Sequence, residues 1–209
     1  MIIKAHRRSI LVKVCGMRKA DNISQVQALG IDLMGLIFWP KSSRYVSEPP
    51  KFLPTKCKRV GVFVDEQPEK IKETAKAYGL DFIQLHGKES VEDVKALADY
   101  RLIKVFNIAT PDDFSACTPY EGLVDFFLFD TKGMSVGGNG EKFDWSVLKA
   151  YHGNTPFLLS GGIAPDDAER IKAISHPQFA GIDLNSRFEL SPALKDVEKL
   201  KSFLEKVKG

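Results

Sequence analysis

Only three cysteines occur in 209 residues. Cys15, Cys57 and Cys117 form an odd, widely spaced set, which excludes a disulfide framework. No CxxC or HxxxH pairing marks a zinc site. Reduced thiols in a cytoplasmic protein are the default reading. No stretch approaches the ~20 apolar residues of a membrane span. No charge of either sign dominates: 30 basic and 27 acidic residues leave a formal charge of +3. That balance gives no general argument for nucleic acid or an anionic membrane as partner. Short-period repeats and low-complexity tracts are absent too. At the start, Ile10-Leu11-Val12 is too short for the apolar region of a secretory signal. Residues 1–8, with Lys4, Arg7 and Arg8, read as an extension, with an address signal as the alternative. Residues 9–209 then form one domain, large enough to bury roughly 70% of its extended-chain surface.

What is present is alternation. Short β-branched or aromatic runs recur at Ile10–Cys15, Leu33–Phe38, Arg59–Val64, Phe82–His86, Leu102–Phe106, Phe126–Asp130, Phe157–Ser160 and Ala180–Leu184. Between them lie helix-like stretches at Ala20–Leu29, Pro68–Tyr78, Val91–Ala98, Asp112–Ala116, Trp145–Ala150, Asp166–Ile174 and Ala193–Val207. The proline-rich Glu48–Thr55 is a poor helix. Runs such as Phe126-Phe127-Leu128-Phe129 are apolar throughout, as parallel strands buried on both faces require. Alternating β and α units fit an open doubly wound sheet or a closed barrel. The count of eight favours an α/β fold of the (β/α)8 TIM-barrel class, a single domain.

In such a barrel, chemistry gathers where strands end. Each predicted strand runs directly into polar residues, the expected floor of a pocket. Cys15 ends the first. Alternation places Lys13 on its face, where a buried ammonium needs a partner. A cation there would lower the thiol's pKa. Taken alone, Cys15 reads as a small buried hydrophobe, as most lone cysteines are, and Cys57 and Cys117 keep that reading. Asp130 ends a very apolar strand, where desolvation would raise its pKa and suit a general acid. A cap or an ion pair to Lys132 is the plainer alternative. The glycine-rich loop 133–140 reads as a lid or as a flexible connection. Ser160-Gly161-Gly162 follows strand seven and Asp183-Leu184-Asn185-Ser186 follows strand eight. Barrels often bind phosphate with these two loops. In the second loop, exposed aromatics beside Arg44 suit an aromatic carboxylate. A solvated basic loop is the alternative. His86 either touches ligand or braces the pocket, while His6, His152 and His176 read as surface residues.

Taken in order, these motifs resemble one family. Lys13-Val14-Cys15-Gly16-Met17-Arg18 is similar to the opening motif of the phosphoribosylanthranilate isomerases. Pro40-Lys41-Ser42-Ser43-Arg44-Tyr45-Val46 is similar to their second-loop signature. Val60-Gly61-Val62-Phe63, Gln84-Leu85-His86-Gly87, Asp130-Thr131-Lys132, Gly137-Gly138-Asn139-Gly140, Phe143-Asp144-Trp145 and Leu159-Ser160-Gly161-Gly162 continue it. The resemblance runs from about Val12 to the C-terminus. It implies an Amadori rearrangement of N-(5'-phosphoribosyl)anthranilate in tryptophan biosynthesis, with a small phosphorylated molecule as partner. It also implies Cys15 as general base and Asp130 as general acid. Arg44 would meet the anthranilate carboxylate, and Gly161, Gly162, Asn185 and Ser186 the phosphate. His86 and Asp183 resemble pocket residues that contact substrate. No cofactor and no metal are implied, and the enzyme would be a monomer or a homodimer. Asn185 departs from the pattern, because a serine is familiar there, although an amide can still donate to phosphate. A histidine-pathway aminoaldose isomerase fits less well, because those carry aspartate at the place of Cys15. An indole-forming synthase fits the lid and cysteine motifs less well. A sensor that had lost catalysis would not need both Cys15 and Asp130.

Overall fold

Leu11–Val14 (β1) shows how these segments become strands. Val12 and Val14 are fully buried against the outer layer, and Lys13 on the other face is fully buried inside. A segment covered on both faces must be a strand of an interior sheet. The computed structural model describes residues 10–131 and 144–208. The predicted extension, Lys132 and the glycine-rich loop 133–140 lie outside them.

The remaining strands are Leu33–Ile37 (β2), Lys58–Phe63 (β3), Phe82–Leu85 (β4), Arg101–Asn107 (β5), Phe126–Asp130 (β6), Phe157–Ser160 (β7) and Phe179–Leu184 (β8). They pair in sequence order, all parallel, and β8 closes on β1. The (β/α)8 barrel is therefore formed, with predicted and observed strand bounds within about one residue. Its interior is plugged by Leu33, Val60, Phe82, Ile103, Leu128 and Leu158. Two residues further along three of these strands stand Gln84, Asp130 and Ser160, on the same face by strand alternation. The plug thus leaves its polar layer at the C-terminal end of the barrel.

Outside, α-helices span Ala20–Gln27 (α1), Pro68–Tyr78 (α2), Val91–Ala96 (α3), Ala168–Lys172 (α4) and Val197–Lys208 (α5). Their ends follow local chemistry. Pro68 opens α2, and Gly79 closes it in the left-handed conformation at φ +56°. Ser90 and Asp93 cap α3 reciprocally. The segments expected as helices after β5 and β6 are 3-10 turns instead, at Pro111–Tyr120 and Trp145–Ala150. Pro119 cannot donate to a continuing helix. Among the described residues, no helix is long and apolar enough to cross a membrane.

One expectation fails. Ala193–Val207 is not one helix, since Glu189–Ser191 (β9) and Leu194–Lys195 (β10) first form an antiparallel hairpin. Ala193 adopts φ +64°, which a helix does not allow. Asn22 of α1 takes both backbone groups of Lys195, accepting from its N–H at 2.7 Å and donating to its carbonyl at 3.0 Å. The helix starts only after Asp196, whose side chain accepts from the Lys199 N–H at 3.0 Å.

Candidate active site

Cys15 leaves the end of β1 with its backbone N–H donating to the Leu184 carbonyl at 2.9 Å, and it is 4% exposed. Its thiol lies against Gly35 of β2. A Cβ at Gly35 would stand 2.6 Å from the sulfur and 3.1 Å from the Cys15 Cα, so only glycine leaves room there. Lys13, one strand pleat below, finds the partner it needs: its Nζ is 3.0 Å from Asp183 Oδ1, with both side chains buried. Burial works against the charge on Lys13, but Asp183 and the Cys15 thiol outweigh it and hold its pKa above the ordinary value. Burial pushes the Asp183 carboxyl up, against the pull of Lys13. Cys15 itself is raised, not lowered: burial outweighs the help of Lys13 and Lys195. Lys13 does pull the thiol down as expected, but burial is the larger influence and Asp183 adds to it, so the net shift is upward.

Asp130 ends β6, half-buried, with His86 Nε2 4.0 Å from its Oδ2. His86 follows β4 and meets the Gln84 side chain, amide nitrogen to Nδ1, at 3.2 Å. The barrel wall desolvates the imidazole and, with Lys13 nearby, lowers its pKa. Among the described residues, the buried Gln84 Oε1 finds no hydrogen-bond partner.

Gly161 and Gly162 turn the chain after β7 with φ of +94° and +69°, a conformation that costs other residues. A Cβ on Gly162 would meet open space. After β8, Asn185 accepts through Oδ1 from Lys195 Nζ at 2.8 Å. Lys195 is fully buried and also reaches Glu189 at 2.6 Å. Glu189 in turn takes Nε and Nη2 of Arg44. Burial opposes the negative charge of Glu189, yet Arg44 and Lys195 hold its pKa below the ordinary range.

Cys15, Asp130, His86 and Asp183 open onto one cavity, which Gly161, Gly162, Asn185 and Ser186 also line. Five different strand ends, those of β1, β4, β6, β7 and β8, therefore converge on it. Arg44 stands outside that lining. It reaches over Gly16, where a Cβ would come within 2.5 Å of its Cδ. Phe38 is also absent from the cavity, packed on Phe63 and Tyr78 with ring centroids 5.3 and 4.7 Å away. Trp39 is exposed. The sequence reading missed Gly35, Glu189, Lys195 and the cavity-lining Arg187. Lys195 was hidden by its assignment to a helix. The one available signal was Asp196, a helix-capping residue just after it.

The profile of the family described as N-(5'phosphoribosyl)anthranilate (PRA) isomerase matches residues 12–206. The chain belongs to the phosphoribosylanthranilate isomerase family. Its relatives include the N-(5'-phosphoribosyl)anthranilate isomerase of Parabacteroides distasonis, 50% identical over 95% of this chain and 93% of that protein. That of Phocaeicola vulgatus is 48% identical over 95% and 98%. Among solved structures, the phosphoribosylanthranilate isomerase of Thermotoga maritima superposes with a TM-score of 0.81 at 32% identity, covering 96% of this chain and 99% of the other. Another isomerase of the family, in complex with reduced 1-(o-carboxyphenylamino)-1-deoxyribulose 5-phosphate, superposes at 0.79 with 29% identity and coverage of 96% and 99%.

Proposed function

We propose that Cys15 and Asp130 are the base and the acid of this isomerase. The reaction is the Amadori rearrangement of N-(5'-phosphoribosyl)anthranilate to 1-(2-carboxyphenylamino)-1-deoxy-D-ribulose 5-phosphate, a step of tryptophan biosynthesis. The observation that carries the assignment is the shared cavity: a thiol from β1 and a carboxyl from β6 face the same space.

The chemistry needs two proton transfers. Protonated Asp130 gives a proton to the ribose ring oxygen, the C1'–O bond breaks, and the anthranilate nitrogen's lone pair forms a Schiff base. The Cys15 thiolate then removes the C2' proton. The electrons left on C2' move into the C1'–C2' bond and neutralise the iminium, giving an enolamine that tautomerises to the aminoketose. Carbon oxidation levels exchange within one molecule, so no external redox cofactor is required. Each transfer contributes typically ~10²–10⁴-fold in rate. A thiol raised by burial is a stronger base once ionised, and desolvation keeps water from competing with C2'.

In this reading Gly161, Gly162, Asn185 and Ser186 hold the phosphate. The two left-handed glycines leave backbone N–H groups accessible, and Ser186 adds a hydroxyl. His86 and Asp183 contact the ribosyl part. Arg44 would reach the anthranilate carboxylate through Nη1, since Glu189 occupies Nε and Nη2. One chain supplies all of these groups, so the site works in a monomer or a homodimer. A dimeric relative from T. maritima has been converted to monomers. Three free thiols and a phosphorylated substrate fit the cytoplasm.

Cys15→Ala and Asp130→Asn should each lower kcat at least ~10²-fold with circular dichroism unchanged. The assay is loss of phosphoribosylanthranilate fluorescence. Near-normal turnover in either variant would remove that residue from the mechanism.

A further inference from the structure

We propose that Arg187 is the charge partner of the substrate phosphate and sets the preference for phosphorylated substrate. The inference rests on the phosphate reading above and adds to it the one ionic contact that reading lacks. Among the described residues lining the cavity, two are carboxylates, Asp130 and Asp183, and Arg187 is the single lysine or arginine. A phosphate monoester carries about −1.5 to −2 charges at neutral pH. Backbone N–H groups and hydroxyls orient such an anion, but they carry no full charge to offset it.

The nearby cations are already committed. Lys13 is paired with Asp183 at 3.0 Å. Arg44 and Lys195 are both paired with Glu189. Arg187 is different: its side chain is exposed, and it has no hydrogen bond or ion pair among the described residues. An exposed surface arginine is usually only solvated, so its placement is what matters. It follows Ser186 directly, in the turn Ser186–Phe188.

That turn is pinned on both sides of Arg187. The Phe188 N–H donates to the Asn185 carbonyl at 3.1 Å, and the Asp196 N–H donates to the Phe188 carbonyl at 2.9 Å. The Phe188 ring is fully buried against Phe203, centroids 4.9 Å apart. A fixed backbone with an unpaired guanidinium is preorganised for an anion. Its planar fork matches phosphate oxygens two at a time.

The test uses Arg187→Ala and Arg187→Lys in the full chain, with Gly162→Val as a reference for the glycine cradle. Two constants are read: KM for phosphoribosylanthranilate and the inhibition constant of inorganic phosphate. Loss of a charge-assisted contact should raise both at least ~10-fold in Arg187→Ala, with the change falling on KM rather than kcat. Arg187→Lys should recover part of it, since the charge returns without the fork. Unchanged KM and phosphate inhibition in Arg187→Ala would overturn the proposal. If Gly162→Val still raised both constants, the glycine cradle would stand and Arg187 alone would fall. If neither variant moved either constant, the phosphate placement would fall with it.

Discussion

At Cys15, burial and charge act in opposite directions. Burial is the larger influence, and the nearby lysines Lys13 and Lys195 only moderate it. The thiol should therefore titrate above its ordinary value of 9.0. Thiolate absorbance at 240 nm in a Cys57→Ser, Cys117→Ser background would show this directly. Those two thiols are pushed by burial to about 11 and about 12, and removing them isolates Cys15. The expected midpoint lies above 9, with kcat/KM rising along the same alkaline limb as the base ionises. A midpoint below 9 would mean that the lysines prevail over burial. The same residue shows what sequence can and cannot tell. Strand alternation correctly put Lys13 on its face, but the sign of the shift is set by burial, with Asp183, 170 positions away, adding to it.

Among the elements, the β9–β10 hairpin carries more than its length indicates. It places Lys195 where one ammonium joins Asn185 and Glu189, and it ties that corner to α1 through Asn22. Asn22→Ala would leave the Lys195 N–H and carbonyl buried without those two bonds. A loss of about 2–6 kcal/mol in urea unfolding is expected, at about 1–3 kcal/mol for each unsatisfied group. An unchanged urea midpoint would show that the clasp adds nothing to stability. The barrel strands were legible because burial on both faces leaves a continuous apolar run in the chain. The hairpin was not, because its apolar content is low and its conformation is imposed by Asn22, a helix residue far away in sequence. Likewise, periodicity marked where α2 lies but could not separate an α-helix from the 3-10 turn at Pro111–Tyr120.

For the whole molecule, the buried charges define a pH window of stability. The Glu189 carboxyl is held down by Arg44 and Lys195 against the cost of burial. Glu121 is held down by Thr155 and Tyr151, again against burial. Their folded pKa values lie below the ordinary 4.5. Their stabilisation is therefore complete above about pH 4.5 and is lost as pH falls through the depressed values. At the other end, Cys57 and Cys117 are raised from 9.0. The unfolded thiols ionise first, so stability falls as pH rises from about 9 towards 11 and 12. Melting temperature against pH should show a plateau between these limits with a decline on each side. A melting temperature that stayed flat to pH 3 would mean that these carboxylates ionise alike in both states.

From the order of residues alone come the barrel, the candidate residues at its strand ends and the family, because each is written in local pattern and short ordered motifs. Tertiary structure alone decides the pairing of Lys13 with Asp183 and the raised thiol. It also decides the commitment of Arg44 and Lys195 to Glu189, and that Arg187 is left without a partner among the described residues. The physical reason is the same in each case. Electrostatic energies depend on distance and burial, and only folding brings charges from opposite ends of the chain into one poorly solvated space.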